Sequence, residues 1–122
     1  MKTVIITVAA FLSLCLLMTL NHGYIKTKAA ELTSLAESLD FRDKESCRAT
    51  IIEIDRLWKN CSTVFSLTVS FREIDHLGEC IISLSSAIES SSENEFEGYR
   101  ALLIDAIEGV ARLEDFSVMN IL

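Results

Sequence analysis

The sequence opens with an apolar run that is long enough to cross a membrane. From Thr3 to Leu20 it contains no charged residue, no proline and no glycine. At about 1.5 Å of rise per helical residue, the run covers most of a hydrocarbon core of roughly 30 Å. It therefore predicts a membrane-spanning helix and places the rest of the chain at a membrane surface.

An N-terminal run of this kind can also be a cleaved signal peptide or a lipoprotein signal. Neither Gly23 nor Ala30 has a small residue two positions earlier, as a signal-peptidase site requires. Cys15 follows Leu14, where a lipoprotein signal has a small residue. We therefore expect a retained anchor and collar over residues 1–30 and an acidic helical bundle over residues 31–122. If the run is cleaved, the alternative is a secreted domain.

The charges beside the run bear on its orientation. Lys2 precedes it, and Lys26 and Lys28 follow it, so the positive-inside count is nearly balanced. Tyr24 and the two following lysines are typical of the interfacial end of a span. Because so short a head usually inserts as a signal-anchor does, we expect a single-pass protein of the cell membrane with most of the chain outside the cytoplasm.

Acidic residues are confined to the part of the chain from Glu31 onward. The chain has 18 acidic and 11 basic residues, and three of the bases precede Glu31, so the domain has 18 acids against 8 bases and a net charge of about −10. Such a domain is poorly matched to nucleic-acid phosphates. The expected partners are the lipid bilayer, through residues 3–20, and another membrane or envelope protein or a second copy of the chain.

The domain carries apolar residues at helical spacing. It has no proline and only three glycines, which favours helices over a turn-rich β architecture. Apolar side chains recur at intervals of three and four. The four stripes are Leu32, Leu35, Ala36 and Leu39; Cys47, Ile51, Ile54, Trp58, Cys61, Phe65 and Thr68; Ile74, Leu77, Ile81, Leu84 and Ile88; and Phe96, Tyr99, Leu103, Ala106, Val110 and Leu113.

Polar residues mark the expected helix starts. Asp40 is a candidate N-cap for the second helix, and Ser70 and Ser92 each precede a glutamate by three residues, as in a capping box. The predicted fold is all-α, an N-terminal transmembrane helix followed by a small antiparallel three- or four-helix bundle. Its predicted core is Ile51, Ile54, Trp58, Phe65, Ile74, Ile81, Leu84, Leu103 and Val110.

One segment carries a competing signal. Apolar and polar residues alternate strictly from Phe65 to Phe71, which is typical of a strand. An isolated two-stranded pair is marginal in water, so we interpret the segment as a helix end and a sharp turn. Pairing with the apolar tail, residues 116–122, is the alternative.

The order of several short motifs resembles a known family. After the anchor come Trp58-Lys59, Phe65-Ser66-Leu67, Glu73-Ile74-Asp75, Leu113-Glu114 and the ending Ser117-Val118-Met119-Asn120-Ile121-Leu122. This arrangement resembles an uncharacterised bacterial family, domain of unknown function 4363, over nearly the whole chain. The cysteine-containing stripe and Phe71-Arg72 depart from the family pattern. The resemblance implies a membrane-anchored helical protein and supplies no activity.

The sequence offers little for catalysis or metal binding. His76 and Cys80 are spaced as two ligands on one helix face, and they are the weak candidates for a metal site, since no complete ligand set is visible. Three cysteines lie in the domain, which allows one disulfide and a spare thiol, or three buried thiols, the arrangement that we favour. No nucleophile motif or phosphate-binding loop is present, so we expect no enzyme, no cofactor and no metal.

The function predicted from the sequence is that of a membrane-anchored, non-catalytic interaction or accessory module at the bacterial envelope. The alternative is a bundle that senses a ligand or a metal ion. If the domain self-associates, we expect the stripe from Cys47 through Trp58 to Phe65 to carry the exposed edge.

Overall fold

The protein is a bundle of four helices. The computed structural model describes residues 1–66, residue 69 and residues 71–121, with side chains through Leu113. Its elements are α1 (Lys2–Glu37), α2 (Lys44–Phe65), α3 (Phe71–Ile88) and α4 (Glu93–Ile121). The described residues contain no strand. The prediction of an all-α fold with a long apolar first helix and a helical bundle is thus confirmed.

The four helices form a ring in which α1 packs on α2 and α4, and α3 packs on the same two helices. The pair α2–α3 is antiparallel. Arg48 Nε lies 2.6 Å from Glu89 Oε1 at one end, and further along the indole of Trp58 lies against Gly78. Short connections join successive helices. The connection between α2 and α3 is therefore at the same end of the bundle as the apolar run.

Helix α1 belongs both to the apolar run and to the bundle. It continues without interruption through Gly23, and its 36 residues extend about 54 Å at the usual rise of about 1.5 Å per residue. Ile25, Ala29, Leu32 and Ala36 are its buried residues. The bundle core thus begins at Ile25, within the range predicted as anchor and collar.

The core is built from the predicted stripes of α2 and α3. All nine residues of the predicted core are buried. The rings of Trp58 and Phe65 meet edge to face with centroids 5.5 Å apart, a geometry that aromatic pairs favour. The stripe from Cys47 to Phe65 is buried throughout, so the expectation that it carries an exposed edge is wrong. The reason is that α1 and α3 cover it together.

The buried stripe of α4 agrees with the predicted one at Phe96, Leu103 and Val110, and Ala106 packs against the core, but the stripe also includes Ile107. Phe96, Leu103, Ile107 and Val110 are buried, whereas Tyr99 is 39% exposed. Leu113, at the end of the predicted stripe, is also partly exposed. Several apolar residues in this segment permit more than one helical phase, and contact with α1 and α3 selects the one that includes Ile107.

The helix starts differ in detail from those predicted. Asp43, rather than Asp40, is the N-cap of α2, and its side chain accepts a hydrogen bond from the Ser46 N–H. Asp40 instead accepts from the Arg42 N–H in the preceding turn. Ser92 accepts from the Glu95 N–H at 3.2 Å, as the capping motif predicts.

The segment that alternates from Phe65 to Phe71 joins two helices. Phe65 ends α2 and Phe71 begins α3. The predicted cap at Ser70 and the stripe residue Thr68 lie outside the described residues. The backbone of the tail is helical through Ile121. The described residues therefore contain no strand pair between this segment and the tail.

Two basic side chains donate hydrogen bonds to backbone carbonyls at the end of the bundle away from the apolar run. Lys44 Nζ donates to the carbonyls of Ile88 at 2.5 Å and Ser90 at 3.2 Å, beside the end of α3. Arg100 donates to the carbonyl of Leu39 just beyond α1, at 2.7 Å. Carbonyls at a helix C-terminus lack partners within the helix. These contacts supply such partners and fix the level of α4 relative to α1.

Gly98 offers a direct test of α4. It is exposed, and a Cβ added there would meet no atom within 4 Å. Because alanine loses less backbone entropy than glycine in a helix, Gly98→Ala should raise the free energy of unfolding by about 0.5–1 kcal/mol. Denaturant unfolding followed by circular dichroism checks this. An unchanged or lower stability would contradict a helical Gly98.

Candidate membrane anchor and interaction surfaces

The N-terminal half of α1 is an exposed apolar rod. One 18-residue window has a mean hydropathy of 2.5, and none of it is buried against the rest of the chain. Among the described residues, α1 is the one helix long and apolar enough to cross a membrane. Its large side chains are 51 to 69% exposed, and they are Val4, Ile5, Ile6, Val8, Phe11, Leu12, Leu14, Leu16, Leu17 and Leu20. Such an unbroken apolar surface is typical of a segment that contacts lipid.

The part of α1 that joins the apolar run to the bundle makes both apolar and polar contacts. Tyr24 is half-buried and packs against the core. Lys28 Nζ lies 5.6 Å from the centre of the Tyr24 ring, within reach of a cation–π contact. The same amine is 3.5 Å from Glu31 Oε2. Tyr24, predicted from the sequence to lie at the end of a membrane span, thus also packs against the bundle core.

The end of α4 returns toward the apolar rod. Because α4 is antiparallel to α1 and Arg100 is level with Leu39, Ile121 is about level with Met18 at equal helical rise. The α4 backbone is helical to Ile121. The α4 backbone therefore extends to the level of the C-terminal end of the apolar run. The side chains of the apolar tail, residues 116–122, lie outside the described part of the chain, so the contacts predicted for them stay a prediction.

The outer surface of α2 and α3 carries the most exposed apolar side chains of the bundle. Ile52, Phe71 and Ile82 are 67, 73 and 68% exposed, respectively. We call this surface the α2–α3 face, and it comprises Arg48, Ile52, Asp55, Lys59 and Ser62 of α2, Phe71, Asp75, Gly78, Glu79, Ile82, Ser85 and Ser86 of α3, and Glu89 just beyond α3. Two shallow grooves of about 390 and 470 Å³ run between the helices here. The face thus combines exposed apolar side chains with charged groups of both signs.

A third groove, of about 870 Å³, lies between α1 and α2. Charges of both signs line it, including Lys26, Glu31, Glu53 and Arg56. Arg56 Nη2 and Glu53 Oε1 are 2.7 Å apart and largely exposed. Exposed pairs of this kind contribute little to stability, and the mixture of charges gives the groove no preference for a ligand of one sign.

The candidate metal ligands His76 and Cys80 are neighbours. His76 Nε2 lies 3.8 Å from Cys80 Sγ across one turn of α3. Within the part of the chain that the structure describes, no group of three or more His, Cys, Asp or Glu residues could hold a metal ion. The pair is thus brought together as its spacing predicts, without a third ligand among the described residues.

Three thiols of the bundle are buried in its core. Cys47, Cys61 and Cys80 are free and at most 7% exposed. Burial raises the pKa of all three, because the interior disfavours the thiolate. The pKa of Cys61 rises to about 11. Since the thiolate is the reactive form, we expect these thiols to react slowly in the folded protein.

The Cys61 thiol predicts a dependence of stability on alkaline pH. Its ordinary pKa is 9.0 and its folded value is about 11. Between these pH values the folded state keeps a proton that the unfolded state has lost, so the free energy of unfolding should fall as the pH rises from about 9 to 11. Thermal unfolding of the protein and of Cys61→Ala checks this. The variant should lose part of the slope, and identical slopes would contradict the burial of an ionisable thiol.

Comparisons of the chain with protein-family models, with curated proteins and with solved structures found no match. The resemblance drawn from the sequence motifs therefore stays a prediction. The surfaces of the bundle and the exposed apolar run are what bear on function.

Proposed function

We propose that the chain is a membrane-anchored, non-catalytic helical module that binds another protein at the cell envelope. In this proposal, residues 3–20 lie in the bilayer and the bundle stands on the membrane surface. The domain's net charge of about −10 keeps it soluble and away from anionic headgroups. The membrane holds the module in place, and the faces of the bundle bind its partner.

One observation supports this proposal above the others. The apolar half of α1 is exposed, and the same helix enters the bundle core at Ile25 without a break. A flexible tether would let the bundle turn freely, whereas a continuous helix holds its axis close to the axis of the anchor. The proposed module thus presents a fixed set of faces to proteins in the same membrane.

We further propose that the bundle lies outside the cytoplasm. Orientation decides which proteins can be partners, because only those with domains on the same side can reach the bundle.

Cysteine labelling tests the anchor and its orientation together. Ser91 is exposed between α3 and α4, at the end of the bundle away from the apolar run. In Ser91→Cys, an impermeant maleimide should label intact cells, while the parent chain, whose bundle thiols are buried, serves as the background control. Labelling only after lysis would contradict the outside location. Recovery of the chain in the soluble fraction would contradict the anchor.

A further inference from the structure

We propose that the α2–α3 face binds a second copy of this chain in the same membrane, as a parallel two-fold dimer. This inference rests on the proposed membrane anchor and names the partner that the bundle would bind. It starts from three exposed apolar side chains: Ile52 and Ile82, which line the same groove, and Phe71, which lies about three helical turns before Ile82 on α3. Exposed apolar groups that cluster on one face mark interaction surfaces.

The anchor restricts how two copies can meet. Chains inserted in one membrane in one orientation share the direction of their bundle axes, so a two-fold axis between them runs parallel to the helices. Rotation about such an axis places α2 of one copy against α3 of the other and keeps every residue at its height above the membrane. A residue of α2 in one copy therefore faces the residue of α3 in the other copy that lies at the same height.

The heights on this face follow from contacts within the chain. Arg48 is level with Glu89, and Trp58 is level with Gly78. Ile52 is therefore about level with Ser85, less than one turn from Ile82. In the dimer, Ile52 of each copy packs near Ile82 of the other, and both side chains leave water. The serines on α3 allow a close approach at this height.

Charge complementarity selects a second copy as the occupant. Lys59 is level with residue 77, between Asp75 and Glu79, and all three side chains line the groove of this face. Across the two-fold axis, Lys59 of each copy thus faces Asp75 and Glu79 of the other. Lys59 lies 2.8 Å from Asp55 and is 73% exposed, so its amine can reach across. The same pairing occurs twice because the interface is isologous.

The acidity of the domain opposes association at long range. At physiological ionic strength, however, screening acts over about 8 Å, and the contacts of Lys59 are within that distance. Confinement to one membrane also raises the effective concentration of the copies. Whether two copies associate therefore depends on the opposite charges that face each other across the interface.

Charge reversal in trans tests this interface. The full chain carrying Ser91→Cys is labelled with donor or acceptor dyes and reconstituted in phosphatidylcholine vesicles, and flotation verifies insertion. Energy transfer should report dimers at low protein density. In Lys59→Glu or Glu79→Lys alone, like charges face each other twice, and the dissociation constant should rise at least about tenfold. A mixture of the two variants should recover transfer, because both of its pairings are again opposite in charge.

The mixture separates contact between chains from damage within a chain. Within each variant chain, residues 59 and 79 carry the same charge whether or not the other variant is present. Recovery on mixing therefore arises only from contact between copies. Ile82→Ser should also weaken the dimer, while Leu102→Ser, an equivalent change on the exposed surface of α4, should leave it unchanged.

The possible results are distinguishable. Absence of transfer in floating vesicles would overturn the dimer and leave the proposed anchor standing, and it would assign the face to a different protein. Absence of recovery in the mixture would overturn the two-fold arrangement. A chain that does not float with the vesicles would overturn both proposals.

Discussion

Replacing Phe65 with alanine should lower the free energy of unfolding by about 3–5 kcal/mol, the range for removal of a buried aromatic ring. The Phe65 side chain is 1% exposed, and its ring lies edge to face with that of Trp58. The variant loses the transfer free energy of the ring and leaves a cavity in the core. Since small domains are stable by only about 5–15 kcal/mol, the expected loss is a large fraction of the bundle's stability.

Phe71→Ala is the matched control for this prediction. Phe71 begins α3 and is 73% exposed, so the same substitution should change the free energy of unfolding by less than about 0.5 kcal/mol. Denaturant unfolding in mild detergent, at low protein concentration and followed by circular dichroism, gives both values. Equal effects at the two positions would contradict the assignment of core and surface in the bundle.

Two arginines in the apolar run should release the chain from the membrane. An arginine at the centre of a spanning helix costs about 2.5–3.5 kcal/mol on insertion scales, so Val8→Arg with Leu12→Arg costs about 5–7 kcal/mol. Eight of the ten large apolar side chains of the run remain in this variant, and they contribute about 0.3–0.6 kcal/mol each to insertion, or about 2–5 kcal/mol together. The penalty therefore matches or exceeds the gain, and the double variant should leave the membrane fraction.

The control for this variant is Val8→Ala with Leu12→Ala, which removes the same side chains without adding charge. This chain should remain in the membrane pellet. The helix content of the bundle should be equal in both variants, because residues 3–20 have no buried position in the structure. Retention of the double arginine variant in the pellet would contradict insertion of the run. A loss of bundle structure would instead indicate that the run packs on the domain.

The sequence predicted the parts of the fold where one helical phase is clearly preferred. In α2 and α3, apolar residues recur at threes and fours with polar residues between them, so the buried stripe follows from spacing. In α4, Ile104 and Ile107 lie among other apolar residues, and spacing alone did not identify Ile107 as buried. Packing against α1 settles that choice, and this contact depends on the tertiary structure.

The surfaces were less predictable than the core. The sequence identified the apolar run, but it gave no sign that the core begins at Ile25, because Ile25 stands among residues typical of a membrane interface. Ile52 follows the buried Ile51 and Ile82 follows the buried Ile81, so each pair resembles a continuation of the core. The predicted stripes include Ile51 and Ile81 and leave out their neighbours, but only the packing of α2 on α3 places the two exposed isoleucines along one groove. The Ile-Ile pairs themselves are a sequence signal for an exposed apolar surface, because a single buried stripe requires only one isoleucine of each pair.

The proposed function requires that residues 3–20 are a retained membrane anchor. The most direct test is the intact mass of the chain recovered from membranes after extraction at alkaline pH. A retained anchor predicts that the chain stays in the pellet with its first twenty residues attached. A chain in the supernatant, or a membrane-derived mass that lacks those residues, would contradict it.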